Sequence, residues 1–99
     1  MMRNFTPHAI VLNDGRTFPS EGVARVKAQF GEFDNGLVCS QNFGEVEGLP
    51  DPVAGTTLIV SSMVLGASSR GDLVAPATGH PDTRRNEKGH IVSVPGFVR

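Results

Sequence analysis

The chain lacks tryptophan and tyrosine altogether, and it contains a single cysteine among its 99 residues. Six phenylalanines therefore supply all of the large aromatic side chains for a core. Cys39 has no second cysteine with which to form an intramolecular disulfide, whereas small secreted domains usually depend on several. We therefore expect a cytoplasmic protein, because thiols stay reduced in the cytosol.

Long apolar runs and a surplus of one charge are also missing. Apolar runs such as residues 58–60 are far too short to cross a bilayer, and residues 1–8 lack the apolar centre of a signal peptide. Nine Lys and Arg against ten Asp and Glu give a net charge of −1. Duplex nucleic acid and anionic membranes both attract an excess of basic residues, so we expect neither as a partner.

The length of the chain fits one domain, residues 1–99, with a small core. A chain this short buries only about two-thirds of the surface that its unfolded form exposes, which leaves little margin of stability. Because association with further copies would enlarge the core, we expect a homo-oligomer.

Short β-branched runs separated by turn signals predict a β-rich fold. Residues 56–60 are the best candidate for a buried strand. The Asp14-Gly15 pair predicts a tight turn that joins strands at residues 8–12 and 16–18 in antiparallel order. The remaining predicted strands are residues 23–28, with a bulge or frayed end, 37–43, 72–75 and 90–94.

The rest of the chain predicts one helix and two polar loops. Residues 61–69 form the predicted helix, and the loops are residues 29–36 and 76–89. The fold class expected is α+β, with a mostly antiparallel β-sheet or partial barrel of about six short strands and one short helix.

The junction between strand and helix offers a first candidate for ligand binding. Ser61 and Ser62 stand where the backbone N–H groups of the first helical turn are free, and such groups bind phosphate or carboxylate. The alternative is that these serines only cap the helix.

The second candidate is the basic part of the 76–89 loop. Arg84, Arg85 and Lys88 could close over an anion, because guanidinium forks match phosphate oxygens. The alternative is a solvated loop in which these charges are paired with carboxylates, namely Asp72, Asp82 and Glu87.

The two candidates suit the same kind of ligand, so together they predict a nucleotide pocket. Phe30, Phe33 or Phe43 could stack on a base. Thr6 and His8 are further candidates for lining residues, although a lone histidine is more often structural or exposed than functional.

Catalytic patterns are missing from the sequence. Cys39 could be paired with His80 or His90, but no family signature surrounds it and a buried, inert thiol is the simpler interpretation. Glu45 and Glu47 fit two solvent-facing residues of one strand. The histidines and the cysteine lack the spacing of a zinc site. We therefore expect that the protein is not an enzyme and that it has no catalytic residue, no metal and no cofactor.

Five segments together resemble a family of small proteins encoded by tailed bacteriophages and prophages. The segments are residues 4–8, 43–50, 55–61, 70–75 and 84–92. The resemblance covers most of the chain apart from residues 13–36, and it implies a phage accessory protein in the cytosol of a host bacterium. By analogy of size and lifestyle, some proteins of this kind are nucleotide sponges, which sequester the cyclic nucleotide or ADP-ribose signals of bacterial immunity.

The function predicted is therefore a non-enzymatic phage protein that binds a small anionic ligand, of the class of a nucleotide immune signal, in counter-defence. One alternative is a protein–protein inhibitor of a host enzyme, with Phe30 and Phe33 as anchors. Another is a small structural or assembly component of the phage.

Overall fold

The computed structural model describes residues 1–99, with the side chain of Phe43 outside the described part. Ten short strands and one short helix follow one another along these residues. In chain order they are β1 (Met2–Asn4), β2 (Ile10–Val11), β3 (Thr17–Phe18), β4 (Arg25–Phe30), β5 (Gln41–Glu47), β6 (Thr57–Ile59), α1 (Ser62–Ala67), β7 (Leu73–Pro76), β8 (Arg84–Arg85), β9 (Ile91–Ser93) and β10 (Phe97–Val98).

A mixed four-stranded sheet forms the centre of the molecule. Its strand order is β1-β6-β7-β10, with β1, β6 and β7 parallel and β10 antiparallel to β7. Helix α1 lies in the crossover between β6 and β7, which has the length that a connection between parallel strands requires.

The other six strands form three antiparallel ribbons of two strands each, β2–β3, β4–β5 and β8–β9. The turn after β2 lies where the Asp14-Gly15 pair predicts it, and Gly15 has a φ of +95°. The bulge expected in the fourth strand is present as a register shift between Val26 and Ala28.

The β-rich class with one short helix is confirmed, but two parts of the expected architecture are wrong. Four separate sheets, none of which closes into a barrel among the described residues, replace one mostly antiparallel sheet or partial barrel, and ten strands replace about six. The additional strands are β1, β8 and β10. Each consists of two or three residues and is held by its partner strand rather than by its own sequence.

Both faces of the central sheet are buried, because successive residues of β6 point in opposite directions. Leu58 and Val60 belong to a cluster with Val64 of α1, whereas Ile59 belongs to a second cluster with Ile10 and Val94. Residues 58–60 are thus the buried centre that their apolar sequence predicts. Helix α1 packs on one face of the sheet, and β2 and β9 pack on the other.

The side chain of Asn4 is 1% exposed and uses its full hydrogen-bonding capacity. Its Nδ2 donates to the carbonyls of His8 (2.9 Å) and Phe18 (2.8 Å). Its Oδ1 accepts from the backbone N–H (2.9 Å) and the hydroxyl (2.6 Å) of Thr6. One amide thus joins the end of β1 to the start and the end of the β2–β3 ribbon.

Strands β4 and β5 form a hairpin, here called the arm, whose outer half extends away from the central sheet into solvent. At its root, Val26 and Val46 pack against the cluster that contains Val64, while residues 29–38 are all exposed. At its tip, Asn35 (φ +52°) and Gly36 (φ +70°) form a turn that needs positive φ at both positions. The radius of gyration is 15.8 Å, against about 13 Å for a compact domain of this length.

Helix α1 is too short to span a membrane, and the described residues contain no other helix.

A conversion of Asn4 to Leu tests the buried amide network. Asn4→Leu removes four hydrogen bonds and leaves the buried Thr6 N–H without its acceptor, so we expect a loss of about 3 kcal/mol or more in the free energy of unfolding. Urea denaturation measures it. Asn42→Leu, at an exposed position on β5, is the matched control, and an equal loss in both variants would contradict the role of Asn4.

The ion pair after α1 predicts a pH dependence. Arg70 donates from Nε and Nη2 to the two carboxylate oxygens of Asp72 (3.0 and 2.7 Å). This hydrogen bonding is the main reason that the pKa of Asp72 lies below its ordinary value of 3.8. Because the folded-state pKa is lowered, the stabilisation is present above the ordinary value and is lost as the pH falls through the folded-state pKa.

We therefore expect Asp72→Asn to lower the free energy of unfolding by about 1 kcal/mol at pH 7. The difference from the wild type should shrink as the pH falls below about 3.8. Urea denaturation over pH 2–7 measures both effects. Glu87→Gln, which removes an exposed carboxylate, should show neither.

Candidate functional site

A cleft of about 240 Å³ opens between β2, β9 and the end of β7. We call it the β2–β9 cleft. Ile10, Ile91 and Val94 give it apolar walls, and Pro76 and Thr78 close one side. Its volume is just below the ~300–1,000 Å³ of ordinary ligand pockets, so it has room for a flat ring system rather than for a whole dinucleotide.

Two arginines stand beside this cleft because β8 pairs with its wall. In the β8–β9 register, Arg84 is opposite Ser93 and Arg85 is opposite Ile91, and both of these partners line the cleft. The Arg85 guanidinium donates from Nη2 to the carbonyl of Thr78 (3.3 Å) and from Nη1 to that of Gly89 (3.1 Å). Backbone carbonyls therefore hold a cation at the rim.

The carboxylates expected to pair with these arginines have other partners or none. Among the side chains that the structure describes, the ion pairs are Arg3–Glu21, Arg16–Asp14, Arg70–Asp72 and, when His80 is protonated, His80–Asp82. Arg84 and Arg85 take part in none of these pairs, so their charges are available to an anion.

The 76–89 segment is ordered by its own turns and is not a simple loop as expected. Thr83 Oγ1 donates to the carbonyl of Ala77 (2.8 Å), which closes a turn before β8. Asn86 Oδ1 accepts from the N–H groups of Lys88 (2.9 Å) and His90 (3.0 Å), which fixes the turn between β8 and β9. The rim of the cleft is therefore held by hydrogen bonds within the segment itself.

His8 lines the β2–β9 cleft, whereas Thr6 does not reach solvent. The His8 side chain is exposed at the wall opposite β9. Thr6 is buried, and its hydroxyl lies within hydrogen-bond distance of Asn4 Oδ1 and the His8 carbonyl (2.9 Å). Thr6 thus positions the backbone of His8 instead of offering a ligand contact of its own.

The two serines at the start of α1 differ in their contacts. Ser61 is the N-cap, and its Oγ accepts from the Val64 N–H at 3.3 Å. Ser62 lines a second, open cleft that shares Pro76 and Thr78 with the first. Neither serine lines the β2–β9 cleft, so the helix start does not belong to the cleft beside which Arg85 is held.

The remaining candidates lie apart from the β2–β9 cleft. Lys88 lines an open depression at the β8–β9 turn together with Glu87 and His90. Phe30 and Phe33 are on the arm, whose root packs on the opposite face of the central sheet. The side chain of Phe43, the third residue considered for base stacking, is outside the described residues.

Sequence reasoning missed the apolar lining of the cleft and the position of Thr78. Ile10 and Ile91 read as ordinary strand residues, and nothing local marks Thr78. The cleft gathers residues 8–11, Pro76, Thr78 and residues 91–94, which only tertiary folding brings together. Within the described part of the chain, no group of three or more His, Cys, Asp or Glu is placed to hold a metal ion.

A pair of alanine variants tests the assignment of Ser61 as the helix cap. Ser61→Ala removes the acceptor for the Val64 N–H and should cost about 1 kcal/mol of folding stability. Ser62→Ala, one residue into the exposed first turn, should change stability by a few tenths of a kcal/mol at most, since Ala favours helix. Thermal unfolding followed by circular dichroism measures both, and equal losses would contradict the assignment.

Comparison with known proteins adds no relative: no family model, no curated protein and no solved structure matches this chain. The resemblance to the phage family therefore stays a prediction, and what the chain binds has to be argued from its own residues.

Proposed function

We propose that this chain is a non-enzymatic binding protein for a small anionic ligand of nucleotide type, and that the β2–β9 cleft is its site. One observation carries the proposal: the Arg85 guanidinium is held at the rim of an apolar cleft by two carbonyls and by no carboxylate. A ligand with a flat ring and a phosphate matches an apolar slot with a cation beside it.

The roles of the residues follow from their positions. Ile10, Ile91 and Val94 would take the ring, because they offer apolar walls. Arg85 retains three of its five N–H donors after its two bonds to carbonyls, so it can still grip phosphate oxygens. Arg84 would add charge from the same strand.

His8 would contribute from the other wall of the cleft. An imidazole ring can donate one hydrogen bond when neutral and two when protonated, so it suits a phosphate or a ribose hydroxyl. Its backbone is fixed by the bond from Asn4 Nδ2 to its carbonyl, which lowers the entropy lost on binding.

The start of helix α1 takes no part in the proposed site. The sequence prediction combined Ser61 and Ser62 with the arginines, but neither serine lines the β2–β9 cleft. A cyclic dinucleotide larger than the cleft could extend over Thr78 into the neighbouring cleft and so reach Ser62. Sequestration of such a signal is the role that the phage resemblance adds to the proposal.

Calorimetric titration tests the proposal with AMP, ADP-ribose, a cyclic dinucleotide and a cyclic trinucleotide as probes. We expect at least one to bind, with an affinity that falls as salt is raised. Arg85→Gln should weaken that binding by at least tenfold, because a charge-assisted contact is worth more than ~1.4 kcal/mol.

Arg25→Gln is the matched control, since it removes the same charge from the arm, which does not line the cleft. The affinity of the Arg25→Gln variant for the nucleotide probe should equal that of the wild type. If none of the four probes binds, or if the two arginine variants lose affinity equally, the assignment of the cleft is wrong.

A further inference from the structure

The tip of the arm exposes a cluster of apolar side chains. Phe30 is 66% exposed, Phe33 64%, Leu37 81% and Val38 67%. The antiparallel bridge from Asp34 to Val38 closes the turn, so all four residues lie within the outer half of the arm. Single exposed apolar residues are normal, but a cluster of this kind usually marks an interaction surface.

The same arm has a free strand edge. Among the described strands, β4 pairs with β5 alone, so the outer edge of β4 presents backbone N–H and C=O groups to solvent. Such an edge can accept another strand. Beyond Ala28 the arm is exposed on all sides, which leaves room for one.

The charges along β4 select the strand that it would accept. The root of β4 is basic, with Arg25 and Lys27, and the tip that follows it is acidic, with Glu32 and Asp34. In an antiparallel alignment of two β4 edges, the basic root of each copy lies beside the acidic tip of the other. A parallel alignment would place like charges together, which is unfavourable.

The other edge of the arm lacks this self-complementarity. Strand β5 carries Glu45 and Glu47 and no basic residue, so two β5 edges have no opposite charges to pair, and a parallel alignment would place like charges together. A surface that complements itself under a twofold rotation is the signature of an isologous dimer interface.

We propose that the β4 edge of the arm is a self-association surface, on which a second copy of this chain lays its own β4 in antiparallel direction. The alignment that sets Lys27 opposite Glu32 puts the twofold axis between residues 29 and 30, so Phe30 of each copy would lie close to Phe30 of the other. Taking ~150–250 Å² for a whole aromatic side chain, the exposed parts of Phe30 and Phe33 offer roughly 250 Å² per copy. The total of about 500 Å² is below the ~1,000 Å² of a specific interface, so the dimer should be weak and reversible.

Sedimentation velocity between about 1 µM and 1 mM tests the proposal on the full chain. We expect the wild type to pass from monomer to dimer, and Phe30→Glu to weaken the dimer by at least tenfold. Val53→Glu is the matched control, because Val53 is 60% exposed but is outside the arm. Circular dichroism should show that both variants melt as the wild type does, since both positions are exposed.

A charge exchange tests the direction of the two arms. Lys27→Glu should weaken the dimer, and the double variant Lys27→Glu with Glu32→Lys should restore it, because the opposite charges again meet. Failure of the double variant to restore the dimer would overturn the antiparallel arrangement.

A wild type that stays monomeric throughout the range would overturn self-association and leave the tip to a foreign partner, such as the host enzyme considered above. Equal weakening by Phe30→Glu and Val53→Glu would overturn the role of the arm. None of these residues lines the β2–β9 cleft, so nucleotide titration of Phe30→Glu separates the failure of this proposal from the failure of the ligand site.

Discussion

The buried amide of Asn4 is the constraint on which the position of the candidate site depends. It lies at the end of β1 in the central sheet, and its Nδ2 holds the carbonyls of His8 and Phe18. These two carbonyls flank the β2–β3 ribbon, so one side chain fixes the ribbon to the sheet. Because β2 forms one wall of the β2–β9 cleft, this network fixes where that wall lies, and the bridge between Leu12 and Val94 sets its distance from the other wall.

The two buried faces of β6 separate the molecule into two sides, each with its own apolar cluster. The face with Leu58 and Val60 carries α1 and the root of the arm, while the face with Ile59 carries β2 and β9. A ligand in the cleft and a second copy on the arm would therefore occupy different sides of the sheet. The two proposals are independent for this reason, although both concern one small chain.

Local signals in the sequence were enough for most of the strands. The Asp14-Gly15 turn, the apolar run at residues 58–60 and the capping serine of α1 each depend on neighbours in sequence, and each was predicted. The turn at Asn35-Gly36 is equally local and was overlooked, because two phenylalanines made residues 29–36 read as a loop.

The remaining elements depend on distant partners and could not be read locally. Strand β1 contains Arg3 and Asn4 and has no β-branched residue, yet it pairs with β6 along its length. Strand β8 is an Arg-Arg dipeptide that is extended only because β9 lies beside it. The cleft has the same origin, so sequence reasoning could name His8, Arg84 and Arg85 as candidates but could not place them around one apolar slot.

The pairing of β1 with β6 has a consequence for how the chain folds as it is made. The ribosome must add residues 5–56 before Thr57 can take its place beside Met2. Until then the Asn4 amide can reach the β2–β3 ribbon but has no sheet to anchor it to. Sheets closed by such remote pairing fold slowly, so a nascent or newly released chain would expose Leu58, Ile59 and Val60 for longer than a helical protein exposes its core.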